Sequence, residues 1–246
     1  MTEKQKPKIL SAHERRLMLA LSILTLVLAA TIPLLEYTPL HLSLLWNLFL
    51  AALPLLFAWL LVRRRAGKKQ GALHRLLNGV LWALWLAFFP NAPYLVTDVI
   101  HISRFSYDEP GGVFTSSLQD WLGILHICAA IVVGCLLGCL SLYLLHQSIA
   151  RCRGKWWGWG LCAGVAVLSG AGLYMGRVMR FNSWDILHQP LALLQQFFAQ
   201  LSLHAILLML LLSAMTLGMY MLFYLCFNAP VRKMASIIQD SNNNIE

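Results

Sequence analysis

The chain has 246 residues, 59% of them apolar and 12% charged, with a mean hydropathy of +0.67. A soluble domain carries about a quarter charged residues, so this composition excludes a disordered chain and argues against a water-soluble globule. Lys and Arg number 19 against 10 Asp and Glu, a net charge of +9, which in so apolar a chain points to anionic membrane headgroups and away from nucleic acid.

A transmembrane helix needs about 20 mostly apolar residues to cross about 30 Å of hydrocarbon. In chain order, six stretches meet that condition: 17–35, 42–62, 73–89, 122–145, 157–176 and 201–227. None carries a charged residue away from its ends. The expected fold is therefore all-α, a polytopic membrane helical bundle of about six transmembrane helices with short outer interfacial helices. It forms a single membrane domain over 1–246, with cytoplasmic tails at 1–16 and 228–246. The first span starts basic, like a signal peptide, but its apolar run continues through Pro33 to Leu35. That is longer than a usual signal core and reads as an uncleaved anchor.

Orientation follows from the bases. The segments before span one, between spans two and three, between four and five, and after six hold 16 of the 19. The intervening connections hold only Arg104, Arg177 and Arg180. Both termini are thus expected on the cytoplasmic side of a bacterial inner membrane. The six cysteines form no CxxC pair and read as small apolar packing residues, not as a disulfide framework. Small-residue seams at Gly134 and Gly138, and at Gly160, Gly164, Gly172 and Gly176, place spans four and five inside the bundle, because small residues let helices approach closely in lipid.

With the spans oriented, Asp98, Asp185 and most histidines fall outside, so any chemistry is expected extracytoplasmically, near the outer headgroup level. Two outer blocks stand out. In the first, Pro90 and Pro93 end span three for want of helical N–H groups. After Pro93 a short helix from Tyr94 to Ser103 is expected, with Tyr94, Asp98 and His101 on one face. In the second, Arg177 and Arg180 occupy the last turn of span five, where the helix dipole favours cations. Ser183 then caps a turn holding Trp184, Asp185 and His188.

The blocks Pro-Asn-Ala-Pro-Tyr-Leu-Val-Thr-Asp at 90–98 and Gly-Arg-x-x-Arg-Phe-Asn-Ser-Trp-Asp at 176–185 resemble the two signatures of a bacterial integral-membrane family of unknown function, numbered 1361. The resemblance runs from about Trp46 to Asn228 and implies a multi-span membrane protein; it brings no catalytic assignment and no cofactor.

The residues themselves leave three readings open. In the first, Arg177 or Arg180 pairs with Asp98 or Asp185 to pin two outer segments, making the protein a scaffold or accessory subunit. In the second, Arg177 and Arg180 bind an anionic, lipid-linked or headgroup-like ligand bidentately. Asn91, Tyr94, Asn182 and Asp185 would complete that site, and Asp98 and His101 would supply acid or base chemistry. In the third, the Asp-x-x-His units Asp98/His101 and Asp185/His188 hold a metal, with His126 or His204 adding a ligand. Transport is the rival class, but the polar residues sit toward span ends and not at the midplane. Membrane lipids are the expected partners; reaction, substrate and protein partners are not encoded legibly.

Overall fold

The computed structural model describes residues 10–36, 38–65, 71–104, 117–181, 188 and 190–243. Among these residues there is helix and no strand: α1 (Ala12–Thr31) with a 3-10 turn at Ile32–Leu34, α2 (Thr38–Arg65), α3 (Ala72–Phe88), α4 (Asn91–Tyr94), a 3-10 segment (Leu95–Arg104), α5 (Leu118–Arg153), α6 (Lys155–Arg177), α7 (Pro190–Ala199) and α8 (Leu203–Asn243). Six helical stretches are long and apolar enough to cross a membrane: Ala12–Leu34, Pro39–Arg65, Ala72–Ser103, Leu118–Arg153, Lys155–Arg177 and Leu203–Asn228. Each overlaps one of the six expected spans; the third runs on past the expected end at 89 to Ser103. The protein is an all-α, multi-pass membrane bundle. Its last helix continues to Asn243, where a tail was expected.

Local signals explain several boundaries. Ser11 and Glu14 form a capping box at the start of α1: the Glu14 N–H donates to Ser11 Oγ at 3.1 Å, and the Ser11 N–H to Glu14 Oε2 at 2.6 Å. Gly154, at φ +102°, turns α5 directly into α6, a conformation that costs a Cβ-bearing residue far more.

α5 is the central helix. Of its membrane segment 67% is buried, against 44% for α2 and for α6, so the expectation of an interior position holds more fully for span four than for span five. The seams explain the difference. A Cβ on Gly138 would collide with Ala92, and one on Gly134 with Leu95. On α6, Gly172 abuts Pro90 and Gly176 the Tyr94 ring. These four glycines thus receive the broken segment after α3. Gly160 and Gly164 instead have nothing within 4 Å of a built Cβ, which corrects the expected seam: the face of α6 that carries these two glycines has no neighbouring helix among the described residues. α6 meets α8 closely at Gly170, against Met209 and Ser213, and again where Trp159 packs on Tyr220 and Tyr224.

The break also departs from expectation in form. A 3-10 helix repeats every three residues, so Leu95, Asp98 and His101 share a face while Tyr94 belongs to the preceding turn. Thr97 Oγ1 donates to the Tyr94 carbonyl at 2.6 Å and Ser103 Oγ to the Ile100 carbonyl at 2.7 Å, both three residues back, which suits the tighter winding.

The break lies within the third apolar stretch, Ala72–Ser103. Arg64 Nε donates to Asn78 Oδ1 at 2.9 Å, and Arg65 Nη1 to Ser148 Oγ at 3.0 Å, so α2, α3 and α5 are in register at one basic end. From there α3 rises only about 15 Å before Phe88, and α5 about 15 Å to Gly138. Irregular backbone inside a span is tolerated only when protein covers it, and Ala92, Pro93 and Leu95 are indeed buried.

Replacing Gly138 by Ala should lower the thermal unfolding midpoint in detergent by the equivalent of about 1–3 kcal/mol, the range for overpacking. Gly164→Ala should stay within about 0.5 kcal/mol of the parent. Equal effects at the two positions would show that the break does not rest on Gly138.

Candidate functional site

The first turn after the break is held by side chains that bond the backbone it leaves over. Asn91 Nδ2 donates to the Phe88 carbonyl at 2.9 Å, near the end of α3. The Tyr94 N–H reaches the Pro90 carbonyl at 3.0 Å. Asn91 is thereby turned into the break.

The 3-10 face then delivers Asp98 into the bundle, where it is 1% exposed. A carboxylate at that depth needs its charge met. Arg177, in the last turn of α6, meets it: Nη2 donates to Asp98 Oδ1 at 2.5 Å while Nε donates to Thr97 Oγ1 at 2.7 Å. The guanidinium lies on the Tyr94 ring, Cζ 4.0 Å from its centroid, a cation–π arrangement that strengthens as water is excluded. The second carboxylate oxygen accepts from Asn47 Nδ2 of α2 at 3.1 Å. One carboxylate thus ties together the 3-10 segment, α6 and α2. His101 stands one 3-10 turn on, its Nε2 3.8 Å from Asp98 Oδ1.

Of the residues expected at a site, the structure brings together Tyr94, Asp98, His101 and Arg177, with Asn91 just below them. Arg180 follows the end of α6 in a left-handed conformation, φ +59°. It is exposed, and among the described residues it makes no ion pair. His188 is exposed. Asn182 and Asp185 lie outside the described residues. The sequence reading missed Asn47 and Thr97. Asn47 carried a usable signal, since a lone amide in an apolar span seeks a buried partner; Thr97 sat within the first block as a hydroxyl one residue from the acid.

The histidines offered as extra metal ligands are placed elsewhere. His126 Nδ1 lies 2.9 Å from His41 Nδ1, and its Nε2 is 3.1 Å from the Leu28 carbonyl, which clamps α1, α2 and α5 at this end. His204 is exposed. Among the described residues no group of three or more His, Cys, Asp or Glu is arranged to hold a metal ion.

Residues 46–219 match the family model described as a protein of unknown function, DUF1361. The chain belongs to the DUF1361 family. The matched region takes in Asn47, the whole break, Asp98, Arg177 and Arg180, so this junction lies within the DUF1361 region and is not an appendage to it. No curated protein and no solved structure matches the chain significantly.

Asp98→Ala strands the Arg177 guanidinium and should cost about 3–5 kcal/mol, as for other half-broken buried pairs. The double variant Asp98→Ala/Arg177→Ala should lose less than the sum of the singles. Unfolding of the purified variants in detergent measures both; strict additivity would mean that the two charges do not interact energetically.

Proposed function

We propose that this DUF1361 protein is a multi-pass protein of the bacterial cytoplasmic membrane whose Asp98–Arg177 junction is the floor of an outward-facing polar site. The ligand it fits is anionic: a lipid headgroup or a lipid-linked group. One observation carries this reading, an asymmetry of exposure. The Asp98 side chain is 2% exposed, whereas those of Arg177 and His101 are 23% and 27% exposed. The acid is covered and the bases face the approach, so an incoming group meets positive potential. Exposed Arg180, three residues along from Arg177, adds to it, and paired guanidinium groups suit phosphate or carboxylate.

With Oδ1 held by Arg177 and Oδ2 by Asn47, Asp98 acts as a positioning group. Proton transfer to or from a bound ligand falls to His101, whose Nε2 stands 3.8 Å from that carboxylate. The same occupancy of both oxygens supports a second reading, in which the junction is structural and the protein serves as a scaffold or accessory subunit. Both termini are assigned to the cytoplasm on the distribution of bases, 16 on one set of segments and 3 on the other. A periplasm-dependent reporter should be inactive when fused at Gly71 and active when fused between residues 105 and 116; the reverse pattern would invert the assignment.

Arg180 separates the two readings because it lies outside the pinned pair. Adding phosphatidylglycerol should raise the unfolding midpoint of the purified protein more than phosphatidylcholine does, and Arg180→Ala should lower that difference while the protein still accumulates in the membrane. An Arg180→Ala variant that keeps the full anionic-lipid response would leave the scaffold reading standing.

A further inference from the structure

At the opposite, basic end, α6 carries a groove that no helix among the described residues fills. α3 packs mainly on α2, and α6 on α8 and α5, so α3 and α6 diverge. Between them lies a cavity of about 320 Å³, walled by Trp82 and Leu86 on α3 and by Gly164, Val165 and Leu168 on α6. A second cavity, of about 560 Å³, opens among Ile149, Arg153, Trp156, Trp157 and Gly160. Leu161 lines both, so the two adjoin along one face of α6, where Gly160 and Gly164 are open.

We infer that this groove is a binding site for one anionic phospholipid, its phosphate at Arg153 and an acyl chain laid along Gly160, Gly164 and Leu168. Three features fix that occupant. First, the length suits a single leaflet: from Trp156 to Leu168 the helix rises about 18 Å, against about 15 Å for half the hydrocarbon thickness. Second, the walls change character where a lipid does. They are apolar along the run and end in Trp156 and Trp157, 85% and 63% exposed, the aromatic pair expected at headgroup level.

Third, the mouth is positively charged. Arg153 is exposed, Arg151 and Lys155 flank it, and among the described residues no acid pairs with any of the three. Arg151 is already turned back, its Nε on the Gln147 carbonyl at 3.0 Å, which leaves Arg153 as the cation lining the groove. A second copy of this chain docked glycine face to glycine face would bring two such clusters together, and like charges oppose that. An anionic headgroup is attracted instead, by about 1 kcal/mol per nearby base. The site is independent of the Asp98–Arg177 junction, which lies at the other end of the same helix.

Native mass spectrometry of the full chain in detergent, titrated with phosphatidylglycerol or phosphatidylcholine, tests the assignment. The parent should retain phosphatidylglycerol in preference to phosphatidylcholine, and an Arg180→Ala variant should still retain one. Arg153→Gln should lower phosphatidylglycerol occupancy about fivefold and leave phosphatidylcholine unchanged. Gly164→Leu projects into open space, so the lipid-free unfolding midpoint should hold while retention of both lipids falls. Equal retention of the two lipids by the parent, or unaltered retention in Arg153→Gln, overturns the proposal. So does a Gly164→Leu variant that dissociates a dimer while keeping its lipid, which would assign the groove to a second copy. Should Gly164→Leu not accumulate, the exposed Arg153→Gln variant decides alone.

Discussion

A carboxylate and a guanidinium withdrawn from water each cost several kcal/mol, and within the span of a membrane protein neither can be left without a partner. The pairing of Asp98 with Arg177 answers that constraint, and much of the surrounding structure follows from it. For the two charges to meet, the chain after α3 must fold back against the end of α6. For the carboxylate to be satisfied fully, α2 must present Asn47 to its second oxygen. Three elements distant in sequence therefore converge on one side chain. The pair is not itself a large source of stability, since apolar replacements of buried ion pairs are often neutral or better. Its contribution is to make a misplaced break expensive.

The break needs that guidance because its backbone is irregular inside a span, where lipid offers no hydrogen bonds. Pro90 and Pro93 remove two donors and interrupt the helical ladder. The groups left over are met locally, by the Asn91 amide on the Phe88 carbonyl and by the Thr97 hydroxyl on the Tyr94 carbonyl. The glycines of α5 and α6 then allow the segment to lie close: Ala92 and Leu95 sit where side chains on Gly138 and Gly134 would be, and Pro90 and Tyr94 against Gly172 and Gly176. Sequence features that look unrelated, a proline pair and two small-residue seams, are two halves of one contact.

The two ends of the bundle use charge differently. At one end Arg64 and Arg65 set helix register through Asn78 and Ser148, while Arg153 stands exposed beside a groove. At the other, a single acid gathers an arginine, a histidine, an asparagine and an aromatic ring, and His41 and His126 join α1, α2 and α5 nearby. α6 connects both ends, and its two halves differ accordingly: Gly172 and Gly176 are filled by protein, whereas Gly160 and Gly164 are open.

The helical spans were readable from the sequence because they depend on local quantities: hydropathy over about 20 residues and a fixed rise per residue. The importance of the 90–98 and 176–185 blocks was also legible, since prolines, aspartates and arginines stand out in an apolar chain. Which arginine pairs with which aspartate was not, because that depends on where α6 ends and how the break is wound. Nor was the form of the break legible: the 3-10 winding from Leu95 to Arg104 shows only in the structure. The glycine spacing likewise described one seam along α6, although neighbours exist for only part of it. By itself, then, the sequence determined that this is an all-α membrane protein with about six spans and two polar blocks. Only the tertiary structure decided that Asp98 is covered by Arg177 and Asn47 while Arg180 stays exposed, because a charge's partner is set by contacts between helices, about which local hydropathy carries no information.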